Sequence, residues 1–160
     1  MTRKSVVPIS TQERPGPAEP GYAESLLASW ARQVPEVDAS AVPLCSMATA
    51  LGRQMELFLE GLVKPQGYQL SEYRLLVTLL TSNQEGMTPV QLNEVLRLTS
   101  AGITKNIARI EERGLISRRP NPADSRSVLI ELTDTGGREI QRLCAHVARE
   151  QNRKLACLLA

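Results

Sequence analysis

Arginine is concentrated in one short part of the chain, where its chemistry suits the binding of a polyanion. Between residues 99 and 127 there are six basic residues against three acidic ones, a local excess larger than the net charge of +2 of the whole chain. Five of the six are arginine, whose planar guanidinium matches phosphates and base edges. The six are Lys105, Arg109, Arg113, Arg118, Arg119 and Arg126. A solvated basic face is the alternative that the charge count alone leaves open, so the elements that carry these residues decide.

A short helix is predicted just before the basic stretch. Thr88 is followed by Pro89 and, three residues after the cap, by Gln91. This order is typical of a capping box with proline at the first helical position. The helix is expected to end near Arg97.

A second helix is predicted only a few residues later, beginning at Thr99 or Ser100 and ending at Gly114. Its inward face consists of isoleucines, namely Ile103, Ile107 and Ile110. Its outward face carries small residues near the start and cations beyond, namely Ala101, Thr104, Lys105, Ala108 and Arg109. Two helices separated by about four residues form a helix-turn-helix, whose second helix can enter a major groove.

Two short strands, residues 115–119 and 127–132, are predicted to follow and to form a hairpin. Such a hairpin after a helix-turn-helix is the wing of a winged helix. Arg126 lies near its tip and suits the narrow minor groove of A·T-rich DNA, while Arg118 and Arg119 lie at its base. The sequence therefore predicts a nucleic-acid interface made of one helix and one hairpin, with Arg119 and Arg126 of the hairpin among its DNA contacts.

Asp124 lies beside these cations, and phosphate would repel its carboxylate. We expect Asp124 to hold a nearby guanidinium, that of Arg126 or Arg109, through a charge-assisted hydrogen bond. The prolines of the turn stiffen the hairpin and lower the entropy lost when its tip inserts.

The remaining pattern predicts a mainly α protein in four parts. Residues 1–20 lack periodic apolar positions and read as a disordered arm. Residues 21–70 hold N-terminal helices, residues 71–133 the winged helix-turn-helix, and residues 134–160 a C-terminal helix whose apolar face predicts dimerisation.

Several boundaries within these parts are predicted from capping and breaking residues. A short helix carrying Trp30 ends before Pro35, and a long helix from Ser40 ends at residues 64–67. Ser71 is expected to cap the next helix and Thr133 the last one. The last helix carries an apolar stripe of Ile140, Leu143, Cys144, Val147, Leu155 and Leu158.

Several classes of function are not favoured by the composition. Three cysteines without CxxC spacing and a single histidine argue against a disulfide framework and a metal site. Neither a glycine-rich phosphate loop nor a nucleophile paired with histidine is visible, so we expect no cofactor and no enzyme. The longest apolar run, residues 75–80, is too short to span a membrane, and no secretory signal is recognised, so a cytoplasmic location is expected.

The run TSAGITKNIARIEERGLISRRPNPADSRSVLIELTDTG resembles the signature of the multiple-antibiotic-resistance regulator (MarR) family of winged-helix transcription factors. Its most specific parts are the wing motif Asp124-Ser125-Arg126 and the junction from Leu132 to Gly136. The resemblance implies a homodimer built by the N-terminal helices (residues 21–70) and the C-terminal helix (residues 134–160). It also implies that this dimer binds a palindromic operator and is released by a small ligand. By position it implies DNA contacts from Ser100, Ala101, Thr104, Lys105, Arg109 and Arg126. Ser125 stands where the family often has arginine, which removes one phosphate contact.

The small-ligand site is sought on the long helix and its successor. Arg53, Tyr73 and Arg74 suit an anionic aromatic or thioester ligand, together with Met47 and Gln54. The plainer interpretation makes Met47 a core residue and both arginines solvated.

Cys45 offers a redox alternative, since the family's peroxide sensors carry a thiol near this position. A buried, inert thiol is favoured, because Ser46, Met47, Ala48 and Thr49 follow it rather than tyrosine. A protein-binding winged helix without DNA binding is the other alternative, and the basic outer face argues against it.

Overall fold

The computed structural model describes residues 15–17, 19–82 and 85–159, with side chains up to residue 156. Most of the predicted arm, and the side chain of Leu158, therefore lie outside the described residues. The chain divides into two compact units between Glu56 and Leu57. Each unit is described by itself.

The first unit contains two helical segments. Helix α1, Tyr22–Gln33, follows Gly21 in the left-handed conformation with φ of 80°. Helix α2, Val42–Val63, begins in this unit and has Pro43 in its first turn, where the missing N–H is tolerated. Both predicted helices are confirmed.

The second unit is a winged helix, which confirms the predicted fold class. After α2 and a single 3₁₀ turn, Lys64–Gln66, its elements are α3 (Leu70–Thr81), α4 (Pro89–Leu96), α5 (Ser100–Glu112), β1 (Ile116–Pro120), β2 (Val128–Leu132) and α6 (Asp134–Leu159). One apolar core joins them, with Leu75, Leu76, Leu92, Ile103, Ile107, Ile110, Ile130 and Ile140 almost fully buried. The isoleucine face predicted for the second helix is thus the core face of α5.

The prediction that Ser71 caps α3 is wrong. The cap is Gln69, whose backbone N–H donates to Oε2 of Glu72 at 2.8 Å. A carboxylate three positions into a helix can satisfy the cap's own N–H, and this contact fixes the start two residues earlier. Ser71 lies in the first turn instead.

The caps of the helix-turn-helix agree with the sequence. The Gln91 N–H donates to Oγ1 of Thr88 at 3.2 Å, and Gln91 Oε1 accepts from the Thr88 N–H at 2.8 Å. Thr99, not Ser100, caps α5 and accepts from the N–H of Gly102 at 3.1 Å. Arg97 closes α4 in the left-handed region with φ of 51°.

The hairpin is antiparallel, with Ile116 opposite Leu132 and Pro120 opposite Val128. Met87, in the segment between α3 and α4, exchanges two backbone hydrogen bonds with Ile130, of 2.9 and 2.8 Å. The wing is therefore fastened to the helix-turn-helix through its second strand.

The junction between β2 and α6 explains the LTxxG pattern. The Thr133 N–H donates to the Leu115 carbonyl at 3.1 Å, and the Thr133 hydroxyl both donates to the Gly114 carbonyl and accepts from the Gly136 N–H. A Cβ atom on Gly136 would lie 1.9 Å from the Leu115 carbonyl oxygen. Only glycine allows α6 to start this close to the entry of β1.

Candidate nucleic-acid interface

The outer face of α5 carries the predicted contact residues. Ser100, Ala101, Thr104 and Lys105 are exposed. The Thr104 hydroxyl donates to the Ser100 carbonyl at 2.9 Å, so it remains an acceptor toward the solvent. Small side chains at the start of the helix leave room for close approach to a groove.

Arg109 is anchored from beneath by a residue that the sequence did not single out. Its Nε lies 3.1 Å from Oε1 of Glu72 on α3, and the two side chains are 41% and 1% exposed. A second polar contact joins the same helices, because the Ser71 hydroxyl donates to Oδ1 of the buried Asn106 at 3.4 Å. The position of Glu72 in the first turn of α3 was visible in the sequence, but its burial under α5 was not.

The wing tip is shaped by side chains that bind backbone. Oδ1 of Asp124 accepts from the Arg126 N–H at 3.0 Å, and Oδ1 of Asn121 accepts from the Ala123 N–H at 3.0 Å. The expectation that Asp124 holds a guanidinium is therefore wrong. Asp124 instead fixes the turn that presents Arg126, since a short acidic side chain can bond to the backbone two residues on.

The arginines at the base of the wing form ion pairs with glutamate side chains. Arg118 binds Glu111 with Nε and a terminal nitrogen, both at 2.9 Å from Oε2. Arg119 lies 2.6 Å from Glu131 through Nε and 3.4 Å from Glu85 through a terminal nitrogen. Arg119, predicted to contact DNA, thus has its charge matched within the protein, because cross-strand Glu131 stands beside it.

Arg113 is also engaged, at the end of α5. Its guanidinium stacks 4.1 Å from the centroid of the Tyr68 ring and lies 3.5 Å from Glu139. The Tyr68 hydroxyl donates to the Glu139 carboxylate. Burial, and next this hydrogen bond, raise the pKa of Tyr68 well above its usual range. These contacts link α6 to the helix-turn-helix.

Two of the six basic residues between positions 99 and 127 are not paired in this way. Among the described residues, Lys105 on α5 and Arg126 at the wing tip form no ion pair. Arg97, in the turn between α4 and α5, is a further exposed basic residue that the count from residue 99 onward missed. The positive charges that no carboxylate compensates among the described residues therefore include one on α5 and one at the tip of the wing.

The predicted small-ligand residues are divided between the two units. In the first unit a hollow of about 500 Å³ is lined by Pro17, Leu44, Met47, Ala48, Ala50, Leu51 and Gln54. Met47 and Gln54 thus belong to it, while Arg53 is not among its described lining residues. Its walls are mainly apolar.

Tyr73 and Arg74 lie on α3, in the second unit. The Tyr73 hydroxyl approaches Sγ of Cys144 on α6 at 4.0 Å. Burial, followed by the neighbouring Cys144, raises the pKa of Tyr73 to about 12. Tyr73 therefore packs against α6, and Arg74 is exposed beside it.

Cys45 is exposed on α2, so the prediction of a buried thiol is wrong. The first turn of α2 presents this position outward from the first unit. No hydrogen bond to its sulfur is found within the described part of the chain.

The described residues contain neither a metal centre nor a membrane-spanning helix. No group of histidine, cysteine and carboxylate side chains there could hold a metal ion. None of the described helices is long and apolar enough to cross a membrane.

The fold and this surface define a winged helix-turn-helix protein. Residues 66–127 match the model of the MarR family. This central part of the chain is therefore similar to the MarR family.

Curated relatives show the same similarity. The multiple antibiotic resistance protein MarR of Escherichia coli (strain K12) is 28% identical over 103 residues, which are 64% of this chain and 69% of MarR. The organic hydroperoxide resistance transcriptional regulator of Bacillus subtilis (strain 168) is 34% identical over 93 residues, 58% of this chain and 62% of that protein. The chain thus spans just under two thirds of the length of some of the curated relatives it matches.

A solved structure shows the same fold. A mutant of MarR from E. coli, crystallised with operator DNA, matches with a TM-score of 0.62 and 23% identity. The match covers 73% of this chain and 82% of that one.

Proposed function

We propose that this protein is a homodimeric transcriptional repressor that binds a palindromic operator and is released by a small ligand. The proposal makes it a DNA-binding protein of the cytoplasm without catalytic activity. The relatives named above are transcriptional regulators. A mutant of MarR, which has the same fold, has been crystallised with operator DNA.

The observation that carries the proposal is the placement of the uncompensated charge. Lys105 lies on the outer face of the helix that enters a major groove in this fold, and Arg126 lies at the tip of the wing. Both are exposed, and neither has an ion-pair partner among the described residues. Lysine and arginine placed in this way neutralise phosphates and enter a narrow minor groove.

Exposed apolar side chains support the proposal that the chain forms a homodimer. Leu44 and Leu51 on α2 are 71% and 64% exposed, and Leu155 on α6 is 55% exposed. Burying such residues is favourable at roughly 25 cal/mol per Å². Two-fold symmetry would present two α5 helices to half-sites about 34 Å apart, which matches a palindrome.

The effector is proposed to be an anionic aromatic acid or its thioester. The hollow beside Met47 has the apolar lining that an aromatic body needs, and its volume is in the range of small-ligand pockets. Arg53, one position before Gln54, supplies a nearby positive charge in the same helix.

Fluorescence anisotropy with DNA from upstream of the protein's own gene tests the proposal. We expect binding that weakens steeply with rising salt and that one member of a panel of aromatic acids and thioesters relieves. Failure to bind this DNA and any duplex selected from a random pool would overturn the DNA-binding function and favour a protein partner.

The thiol alternative is tested in the same assay. Cys45 is exposed, and no hydrogen bond to its sulfur is found in the described residues, so we expect Cys45→Ser to respond to effectors like the unaltered protein. A response to cumene hydroperoxide that this substitution alone abolishes would replace the small-ligand mechanism with peroxide sensing.

A further inference from the structure

We propose that Glu72, a buried carboxylate on α3, is a positioning residue that holds Arg109 for sequence discrimination and restrains the non-specific attraction of α5 to DNA. This inference rests on the proposed function and deepens it, because it concerns how the same interface separates operator from other DNA.

The two oxygens of the Glu72 carboxylate contact different partners. Oε2 accepts the Gln69 N–H at 2.8 Å and so fixes the start of α3. Oε1 lies 3.1 Å from Nε of Arg109 and accepts no aligned hydrogen bond within the described residues. The ion pair with Arg109 is therefore what compensates this half of a fully buried carboxylate.

Burial makes the attachment of Arg109 persistent. Glu72 is 0% exposed, so movement of Arg109 into the solvent would leave an unpaired charge in the interior, which is strongly unfavourable. An exposed arginine without such a partner samples many rotamers. Here the conformational freedom of the side chain is already reduced before DNA arrives, which lowers the entropy cost of binding.

The tether leaves part of the guanidinium available. The contact uses Nε, whereas the terminal nitrogens carry four of the five N–H donors. The Arg109 side chain is 41% exposed on the outward side of α5. A fork of donors held at a fixed place reads a base edge or one defined phosphate better than it follows any phosphate backbone.

The negative charge beneath α5 also acts on affinity. Glu72 offsets the charge of Arg109, so α5 attracts DNA of arbitrary sequence less strongly than its surface residues alone suggest. The contact between Ser71 and Asn106 joins the same two helices, so α5 keeps its place on α3 when the ion pair is altered.

The substitution Glu72→Gln tests this role. The glutamine carbonyl can still accept the Gln69 N–H, while the charge that holds Arg109 is lost. Affinity is measured over a range of salt for a duplex selected by the unaltered protein and for an unrelated duplex of equal length. We expect non-specific affinity to rise, its salt dependence to steepen by about one ion per chain, and the ratio of specific to non-specific affinity to fall about tenfold.

Two comparisons separate positioning from charge and from folding. Glu112→Gln removes the same charge from the exposed surface of α5, and it should leave the specificity ratio within about twofold. In a chain that already carries Arg109→Gln, the substitution of Glu72 should not change the ratio further, because the effect runs through Arg109.

The outcomes are distinct. A parallel loss of affinity for both duplexes, or an equal effect of Glu112→Gln, would overturn the positioning role while the unaltered protein still binds its selected duplex. Absence of any DNA binding by the unaltered protein would instead overturn the proposed function itself, and this inference with it.

Discussion

Helix α5 and the wing both expose arginine, but its charge is compensated in different ways in the two regions. In α5 the carboxylate that meets Arg109 is buried beneath the helix, on α3. In the wing, the carboxylates that meet Arg118 and Arg119 lie at the surface, on Glu111, Glu131 and Glu85.

Arginines in these two regions therefore differ in how firmly their carboxylate partners hold them. Surface pairs are held weakly and contribute roughly 0–1 kcal/mol, whereas a buried carboxylate requires its partner. The compensated wing base therefore serves as a support, and its tip and α5 supply the groups proposed to meet DNA. A count of arginines in the sequence does not show this division.

The largest effect is expected where the wing is joined to α6. Gly136→Ala would place a methyl group against the Leu115 carbonyl, and we expect it to lower the free energy of unfolding by about 3 kcal/mol. Gly137→Ala is the matched control, since a Cβ at that position meets nothing within 4 Å and should be neutral or stabilising. Thermal or urea unfolding measures both. Equal stability of the two variants would show that α6 can start elsewhere.

The next effect concerns the wing tip. Arg126→Ala should weaken operator binding by about 2 kcal/mol per half-site, because the tip loses its open positive group. The loss should be smaller for operators whose flanking A·T tract is replaced by G·C pairs. Unchanged affinity in an anisotropy titration would remove the wing from the interface and leave α5 alone.

A smaller effect is expected on the helix. Lys105→Ala should lower affinity for specific and unrelated duplexes alike, by about 1 kcal/mol per half-site, and reduce the salt slope by about one. Lysine is a point charge with mobile donors, so its contribution should carry little sequence information. A loss confined to the operator would instead make Lys105 a base-reading residue.

The smallest effect is expected at the base of the wing, and it tests how the base differs from the tip. Arg119→Gln should change operator affinity less than about threefold and stability by less than about 1 kcal/mol, since its charge is already matched by Glu131 and Glu85. Competition assays on one duplex, run beside Arg126→Ala, would resolve the two. Comparable losses would mean that DNA displaces the carboxylates from Arg119.

Local signals predicted much of this fold because they act within one turn of chain. The capping box of Thr88 and Gln91, the cap at Thr99 and the stop at Gly114 all depend on neighbours three or four residues away. The mistaken cap at Ser71 shows the limit. A serine has the right chemistry, but Glu72 bonds to the Gln69 N–H and moves the start of the helix.

The partners of charged side chains could not be predicted in this way. Asp124 had two candidate arginines, Arg126 and Arg109, yet its carboxylate accepts the backbone N–H of Arg126, which the turn brings within reach. Arg109 meets Glu72 across 37 positions of sequence, and that contact exists only because α5 packs on α3. Cys45, expected to be buried as a small apolar residue, is exposed.

The sequence by itself determined the order of the elements, the winged-helix class and the resemblance to the MarR family, since hydrophobic periodicity, caps and the wing and junction motifs are local patterns. It also placed glycine at position 136, although only the structure shows the Leu115 carbonyl that excludes a side chain there. The tertiary structure alone decided which cations remain open, which are compensated at the surface and which is anchored from the interior. Electrostatic interaction depends on distance and burial in space, and neither quantity can be read from positions along a chain.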